Sequence, residues 1–150
     1  MQLPFRLELH NHSPTGFAWG YAGSGPTQLA LAILADHIEH TPVDLVLLRK
    51  VAGVAVPCSE CNDTRSIDTA SGPDAGPEEC WNCAEPRGEN CTSRLLGRAA
   101  IPFRVRVIST LGMECTSWSF ATPLVHQVLV DLAAGVPLRS THSPSGDVVN

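Results

Sequence analysis

Lysine is nearly absent from this chain: Lys50 stands alone against nine arginines. Aromatic side chains are scarce too, at 5% of the 150 residues, so any core must be built mainly from aliphatic groups. There is no long hydrophobic run. The longest, Leu29 to Ala35, is far too short to cross a bilayer, and Arg49-Lys50 interrupts the next one, so no membrane partner is expected. Residues Met1-Gln2-Leu3-Pro4-Phe5-Arg6 lack a basic segment followed by an apolar one, so secretion is not expected. An excess of positive charge is also missing. The formal charge of −5 argues against a general affinity for nucleic acid or anionic membrane. Together these absences point to a reducing, cytoplasmic setting.

What is present is an ordinary apolar fraction, 43%, which suits one domain, with room for a small subdomain. Twelve prolines and twelve glycines predict short elements and long loops. The most specific feature is a pair of Cys-x-x-Cys motifs, Cys58/Cys61 and Cys80/Cys83. Their separation falls in the range of a tetrahedral zinc site. Each pair clamps the ion from a tight turn, and the loop between them brings the second pair round. Thiolates suit Zn²⁺ better than hard cations, and four of them leave no coordination position for a water nucleophile. One structural Zn²⁺ held by these four residues is therefore expected. In a reducing compartment, metal ligation outranks disulfides.

Composition divides the chain into a core part at residues 1–56, an insert at 57–93, a second core part at 94–136 and a flexible tail at 137–150. The insert contains Glu60, Asp63, Asp68, Asp74, Glu78, Glu79, Glu85 and Glu89 but almost no aliphatic side chains. It cannot form a hydrophobic core alone, and metal binding can supply the missing free energy. In the core, Phe5, Leu7 and Leu9 alternate with polar residues, which predicts a strand. Pro26 opens a predicted helix that ends near His40, with Leu29, Ile33, Ile38, Ala30 and Leu34 on its apolar face. Thr41 is the expected cap of a short second helix. Phe103, Val105 and Val107 alternate as a strand would, while Val107, Ile108 and Leu111 also fit a helix, so both readings stand for 101–109. Thr122 as cap, Pro123 in the first turn and Gly135 as stop frame a final helix. The expected fold class is α+β: a small, mainly helical core with one or a few short strands and an inserted four-cysteine zinc ribbon or knuckle.

Residues Leu9-His10-Asn11-His12-Ser13-Pro14-Thr15-Gly16-Phe17-Ala18-Trp19-Gly20-Tyr21-Ala22-Gly23-Ser24-Gly25-Pro26-Thr27-Gln28-Leu29-Ala30-Leu31-Ala32 resemble a family of small uncharacterised proteins from bacteria, archaea and phages. Its hallmark is H-S-P-x-G-F-x-W-G-Y-x-G-S-G-P-x-Q-L-A-L-A. After the insert, Phe103, Val107, Ile108, Leu111 and Trp118 resemble its closing segment. The resemblance implies a compact α+β or mostly helical core and a phage or prokaryotic origin, hence a host cytoplasm if phage-encoded. It implies no reaction, and the cysteine insert departs from it.

Within that stretch, the segment from Gly20 to Thr27 has the spacing of a phosphate-binding loop, but Pro26 stands where the lysine should be. Nucleotide hydrolysis is therefore not expected. His10 and His12 lie two apart with no nucleophile or carboxylate pair beside them, so no catalytic residue is assigned. His12, Trp19, Tyr21, Arg104 and Arg106 form a candidate binding surface. Trp19 and Tyr21, with Phe17, equally suit anchoring of the glycine-rich loop into the core. Arg94, Arg98, Arg104 and Arg106 are expected to be neutralised within the chain by the acidic insert or to form a solvated face, in preference to contacting nucleic acid. Cys91 and Cys115 are expected to be buried as small apolar groups. Three readings follow in order: a non-enzymatic interaction or accessory protein with an unknown protein partner, a nucleic-acid-binding module, and an enzyme acting at the loop between His12 and Gly25.

Overall fold

Alanine and leucine dominate the chain after Pro26, and they form helix α1, Ser24–His40. Sequence periodicity gives this helix one apolar face, but the structure buries it on all sides: residues 25–35 are all buried, as are His37 and Ile38. The small side chains of Ala30, Ala32 and Ala35 let neighbours approach from every direction, so α1 becomes the axis of the fold.

The computed structural model describes residues 3–54, 56–68, 76–85, 87–114 and 120–137. After α1, a 3-10 turn at Pro42–Asp44 leads into α2, Leu45–Val51. Helix α3 covers Thr92–Arg106, a second 3-10 turn Ile108–Thr110, and α4 Thr122–Ala133. Helix α1 packs chiefly on α3, while α2 lies against both α3 and α4. Leu29, Leu31, Leu34, Leu48, Leu95, Phe103, Ile108 and Leu129 are fully enclosed. Each such side chain contributes roughly 1.5–3 kcal/mol. The only sheet among the described residues pairs β1, Ser66–Ile67, antiparallel with β2, Glu78–Glu79, in the insert. The fold is thus mostly helical with one tiny sheet, as the sequence suggests. Among the described residues, no helix is long and apolar enough to cross a membrane.

The strand expected at Phe5, Leu7 and Leu9 is absent, and of the two readings open for 101–109 the structure takes the helix as far as Arg106. Residues 6–9 form a turn, with the amides of Leu9 and His10 directed at the Arg6 carbonyl and Arg6 at φ 58°. No neighbouring strand is there to pair with the alternating residues. The Gln28 side chain takes the Phe5 and His10 carbonyls instead, at 2.6 and 3.1 Å. Residues 103–106 belong to α3, where burial follows the helical set Leu95, Leu96, Ala99, Ala100 and Phe103, and Val105 is exposed. Pro102 inside that helix hides its character in the sequence. Thr41 makes no side-chain cap, and Thr122 is the first residue of α4 with Ala121 at the cap position. Gly135, at φ 68°, ends α4 as expected. The readings placed on Asp74, Cys115, Trp118 and residues 138–150 lie outside the described residues.

One polar cluster ties the helices together. Buried Asp44 accepts from His37 Nε2 at 2.7 Å and from His126 Nδ1 at 2.8 Å, joining the end of α1, the turn before α2, and α4. Burial pushes the Asp44 carboxyl up, but the hydrogen bonds from His37 and His126 outweigh it and hold the group below its ordinary 3.8. A depressed folded-state pKa contributes stability that is complete above the unfolded value and is lost as pH falls through the folded one. Asp44→Asn should therefore lower stability at neutral pH by about 1–3 kcal/mol. In denaturant titrations the gap between the two proteins should close as pH drops below 3.8.

Candidate metal centre

Two tight turns build the cysteine site. In the first, the Asn62 amide reaches the Cys58 carbonyl at 2.8 Å and Thr64 Oγ1 the Cys61 carbonyl at 2.7 Å. Asn62 and Asp63 take left-handed backbone, a conformation these two residue types tolerate well. In the second, the Cys83 and Ala84 amides reach the Cys80 carbonyl at 3.0 and 2.8 Å. The Cys80 amide donates to the Arg65 carbonyl at 2.9 Å, and the β1–β2 pairing continues the join. The sulfurs of Cys58, Cys61, Cys80 and Cys83 consequently lie within 4.8 Å of one another, all buried. Cys61 and Cys83 Sγ are 3.7 Å apart. A disulfide needs about 2.05 Å. Tetrahedral ligation with metal–sulfur bonds of about 2.3 Å needs sulfurs about 3.8 Å apart. The four cysteines form no disulfide and could hold a metal ion. Among the described residues, only Ile67 packs against them as an aliphatic neighbour, separate from the main core.

The thiols differ electrostatically. Burial works against the Cys58 thiolate, but the Cys61 and Glu60 amides and the Asn82 side chain outweigh it and bring its pKa down to about 6. Burial, with the neighbouring sulfur of Cys61, pushes Cys83 up, and burial also raises Cys80. A pocket of this kind ionises Cys58 readily, and a cation favours the thiolates of Cys80 and Cys83 against the cost of burial.

Around the sulfurs runs a hydrogen-bonded frame that sequence reading did not find. Asn82 Nδ2 donates to Cys58 Sγ at 3.4 Å, and Asn90 Nδ2 to Cys83 Sγ at 3.5 Å. Asn90 Oδ1 accepts from Arg49 Nε at 2.9 Å, and Arg49 Nη1 donates to Asp63 Oδ1. The same Asp63 oxygen accepts the Cys58 amide at 2.9 Å. Arg49 is only 4% exposed although it sits on α2, in the core half of the chain. In sequence it looks like half of a solvated Arg-Lys pair, and no local spacing links it to Asp63 or Asn90. Cys91 lies outside the four-sulfur cluster, buried at the start of α3 with its sulfur 3.4 Å from Ser93 Oγ.

The other candidate residues are scattered. Phe17 and Trp19 pack on the core, and Trp19 Nε1 donates to the Gly112 carbonyl at 3.2 Å. Tyr21 is exposed. The expected neutralisation of arginines by the insert holds for Arg94 and Arg98, which both bind Glu89. It fails for Arg104, which donates to Thr27 Oγ1 at 2.9 Å, and for Arg106, which binds the Val136 carbonyl. Both lie in the last turn of α3, and Thr27 and the end of α4 reach them first. Glu8 is drawn to Arg6 at 2.9 Å, so it is committed away from His10 and His12.

The glycines of the phosphate-loop-like segment have packing reasons. Gly20, at φ 81°, lies against Met113, and a Cβ there would come within 2.8 Å of the Leu111 carbonyl. A Cβ at Gly25 would come within 2.8 Å of Ala18 Cβ. No strand precedes the loop among the described residues. Magnesium-dependent ATP or GTP turnover should be undetectable. Turnover that disappears in Gly25→Val would reverse this conclusion.

Comparison with known proteins places residues 1–56 in a match to a family of unknown function (DUF6166), spanning the N-terminal loop, α1 and α2 and stopping before Cys58. No curated protein and no solved structure matches the chain.

Proposed function

We propose that this chain is a zinc-binding interaction or accessory protein in which the metal has a structural role. The observation that carries the reading is the closed set of four buried sulfurs within 4.8 Å, whose thiolates fill a tetrahedral ion's coordination positions and leave none for substrate. Zinc is favoured because soft sulfur donors select it and it needs no redox partner. The resemblance carried by residues 9–32 supports a phage or prokaryotic origin and a cytoplasmic setting. A protein partner is favoured over nucleic acid because Arg94 and Arg98 are spent on Glu89, and because the metal-bearing turns display acidic groups. Trp81, beside Cys80, is 61% exposed, and exposed Glu78 and Glu79 precede it. A projecting indole on a rigid turn is a common anchor of protein interfaces, and the adjacent carboxylates suit a basic partner segment.

Native mass spectrometry should show one Zn²⁺ per chain. Cys80→Ser with Cys83→Ser should lose it and loosen the insert while leaving helical circular dichroism largely intact, since the main core is separate. Full zinc stoichiometry in that double variant would overturn the ligand set. Arg49 and Asn90 should strengthen metal retention without ligating. Asn90→Ala, which leaves the Arg49–Asp63 pair in place, should weaken zinc binding about 10-fold or more in competition with a chromophoric chelator. Unchanged affinity would leave the frame around the sulfurs without effect on the metal.

A further inference from the structure

Helix α2 and the turn before it keep apolar groups at the surface. Val43 is 76% exposed and Val46 42%, and Pro42 is exposed beside them. Single apolar residues on a surface are ordinary, but these three, with Leu45, line one cleft of about 240 Å³. The rest of the lining is polar: Arg49 of α2, and Asp63, Arg65, Cys83 and Asn90 of the cysteine insert. The cleft therefore lies where the core and the insert meet. Its volume suits one or two side chains and falls short of the roughly 300–1,000 Å³ of sites that enclose a cofactor.

Most polar groups in this cleft already have partners. Arg49 is taken by Asp63 and Asn90, Asp63 Oδ1 also takes the Cys58 amide, and Asn90 Nδ2 donates to the Cys83 sulfur. Arg65 is different. Its Nη2 donates to Thr92 Oγ1 at 3.1 Å, while its Nε and Nη1 are neither hydrogen-bonded nor enclosed. Among the described residues it has no carboxylate within ion-pair distance. Its backbone is costly as well, at φ 61°, where glycine would be unstrained. The Arg65 carbonyl accepts the Cys80 amide at 2.9 Å, a bond that any residue could make. The turn thus explains the backbone but not the guanidinium. The lining holds two guanidiniums against one carboxylate, in a chain of formal charge −5.

We infer that this cleft docks an apolar side chain of a partner protein that carries a carboxylate beside it, with the side chain against Pro42, Val43 and Val46 and the carboxylate on Arg65. The inference rests on the reading of this chain as an interaction protein and names the chemistry that one of its surfaces recognises. An apolar wall rewards removal of the partner's side chain from water. A carboxylate answers the unspent donors of Arg65 through charge-assisted bonds, which are about twice as strong as those to a neutral carbonyl. The cleft differs from the surface around Trp81, whose carboxylates suit a basic segment.

The test adds N-acetyl-leucine, which carries both groups on one carbon, to the zinc-loaded full chain and follows the backbone amides of Val43, Val46, Arg65 and Asn90 by NMR. N-acetyl-leucinamide, without the charge, and N-acetylalanine, without the large side chain, are parallel arms. N-acetyl-leucine should shift these signals saturably, in the millimolar range expected of so small a probe. Each comparison compound should bind at least about 10-fold more weakly. Arg65→Gln keeps a donor for Thr92 but loses the charge, so it should abolish the preference for the acid over the amide. Val46→Glu should abolish binding. Val105→Glu, at a similarly exposed valine of α3 outside the cleft, should leave it unchanged. Unfolding midpoints identify any variant that has lost its fold, and the three-compound comparison in the unaltered chain decides the question without variants. Absent shifts, equal binding of the three compounds, or a folded Arg65→Gln variant that keeps the preference would overturn the site. A dimer in sedimentation that covers the same signals and dissociates in Trp81→Ala would replace the partner protein with a second copy of this chain. Zinc content measured on the same samples separates the two readings, since full stoichiometry without cleft binding removes this site and leaves the metal centre standing.

Discussion

A buried guanidinium holds the two halves of this protein together. Arg49 projects from α2 into the base of the cysteine insert, where water cannot solvate it, so its charge must be met by fixed partners. Asp63 and Asn90 meet it, one beside each pair of cysteines. Asp63 also receives the Cys58 amide, and Asn90 donates to the Cys83 sulfur. Each turn of the insert is thereby oriented by a side chain that answers to the core. With a divalent ion bound, four thiolates would carry a net double negative charge, and a nearby arginine offsets part of it. The insert is short of aliphatic groups, and its order rests on polar contacts and sulfur where an ordinary subdomain would use apolar area.

The core follows a different logic. Its axis, α1, is enclosed because alanines line much of its surface, and helices packed on all sides leave no solvent face for polar residues. Thr27, Gln28 and His37 are nonetheless inside, each with a directed hydrogen bond to another segment. They act as sockets. Gln28 replaces a missing strand neighbour for residues 5–13, Thr27 seats Arg104, and His37 with Asp44 receives α4 through His126. A chain with few aromatics and many glycines gains specificity from these buried polar contacts, which tolerate only one arrangement of the loops.

Sequence reading succeeded where the determining chemistry is local. The α1 boundaries follow from Pro26 and Thr41-Pro42, and Gly135 marks the end of α4 through its positive φ. It failed where a pattern had two physical meanings. Alternation at Phe5, Leu7 and Leu9 looks like a strand, but a strand needs a neighbour, and Gln28 satisfies that backbone instead. Alternation at Phe103, Val105 and Val107 left strand and helix both open, because Pro102 breaks the helical composition and the deciding periodicity begins upstream at Leu95. The candidate surface separated in space: Trp19 went to the core, Arg104 to Thr27 and Arg106 to the end of α4, while Tyr21 stayed exposed.

The cysteine spacing by itself determined that four sulfurs could converge, because two residues between ligands set the reach of each turn whatever surrounds it. Composition likewise determined that the insert needs something other than apolar burial to become ordered. Only the tertiary structure decided which charges meet across the chain. Arg49 finds Asn90, and Arg104 finds Thr27, over separations of 41 and 77 residues. Such pairings depend on how α1, α2 and α3 lie against one another. That arrangement is set by the volumes of Ala30, Leu34, Leu48 and Phe103 in the shared core, and no spacing along the sequence encodes it.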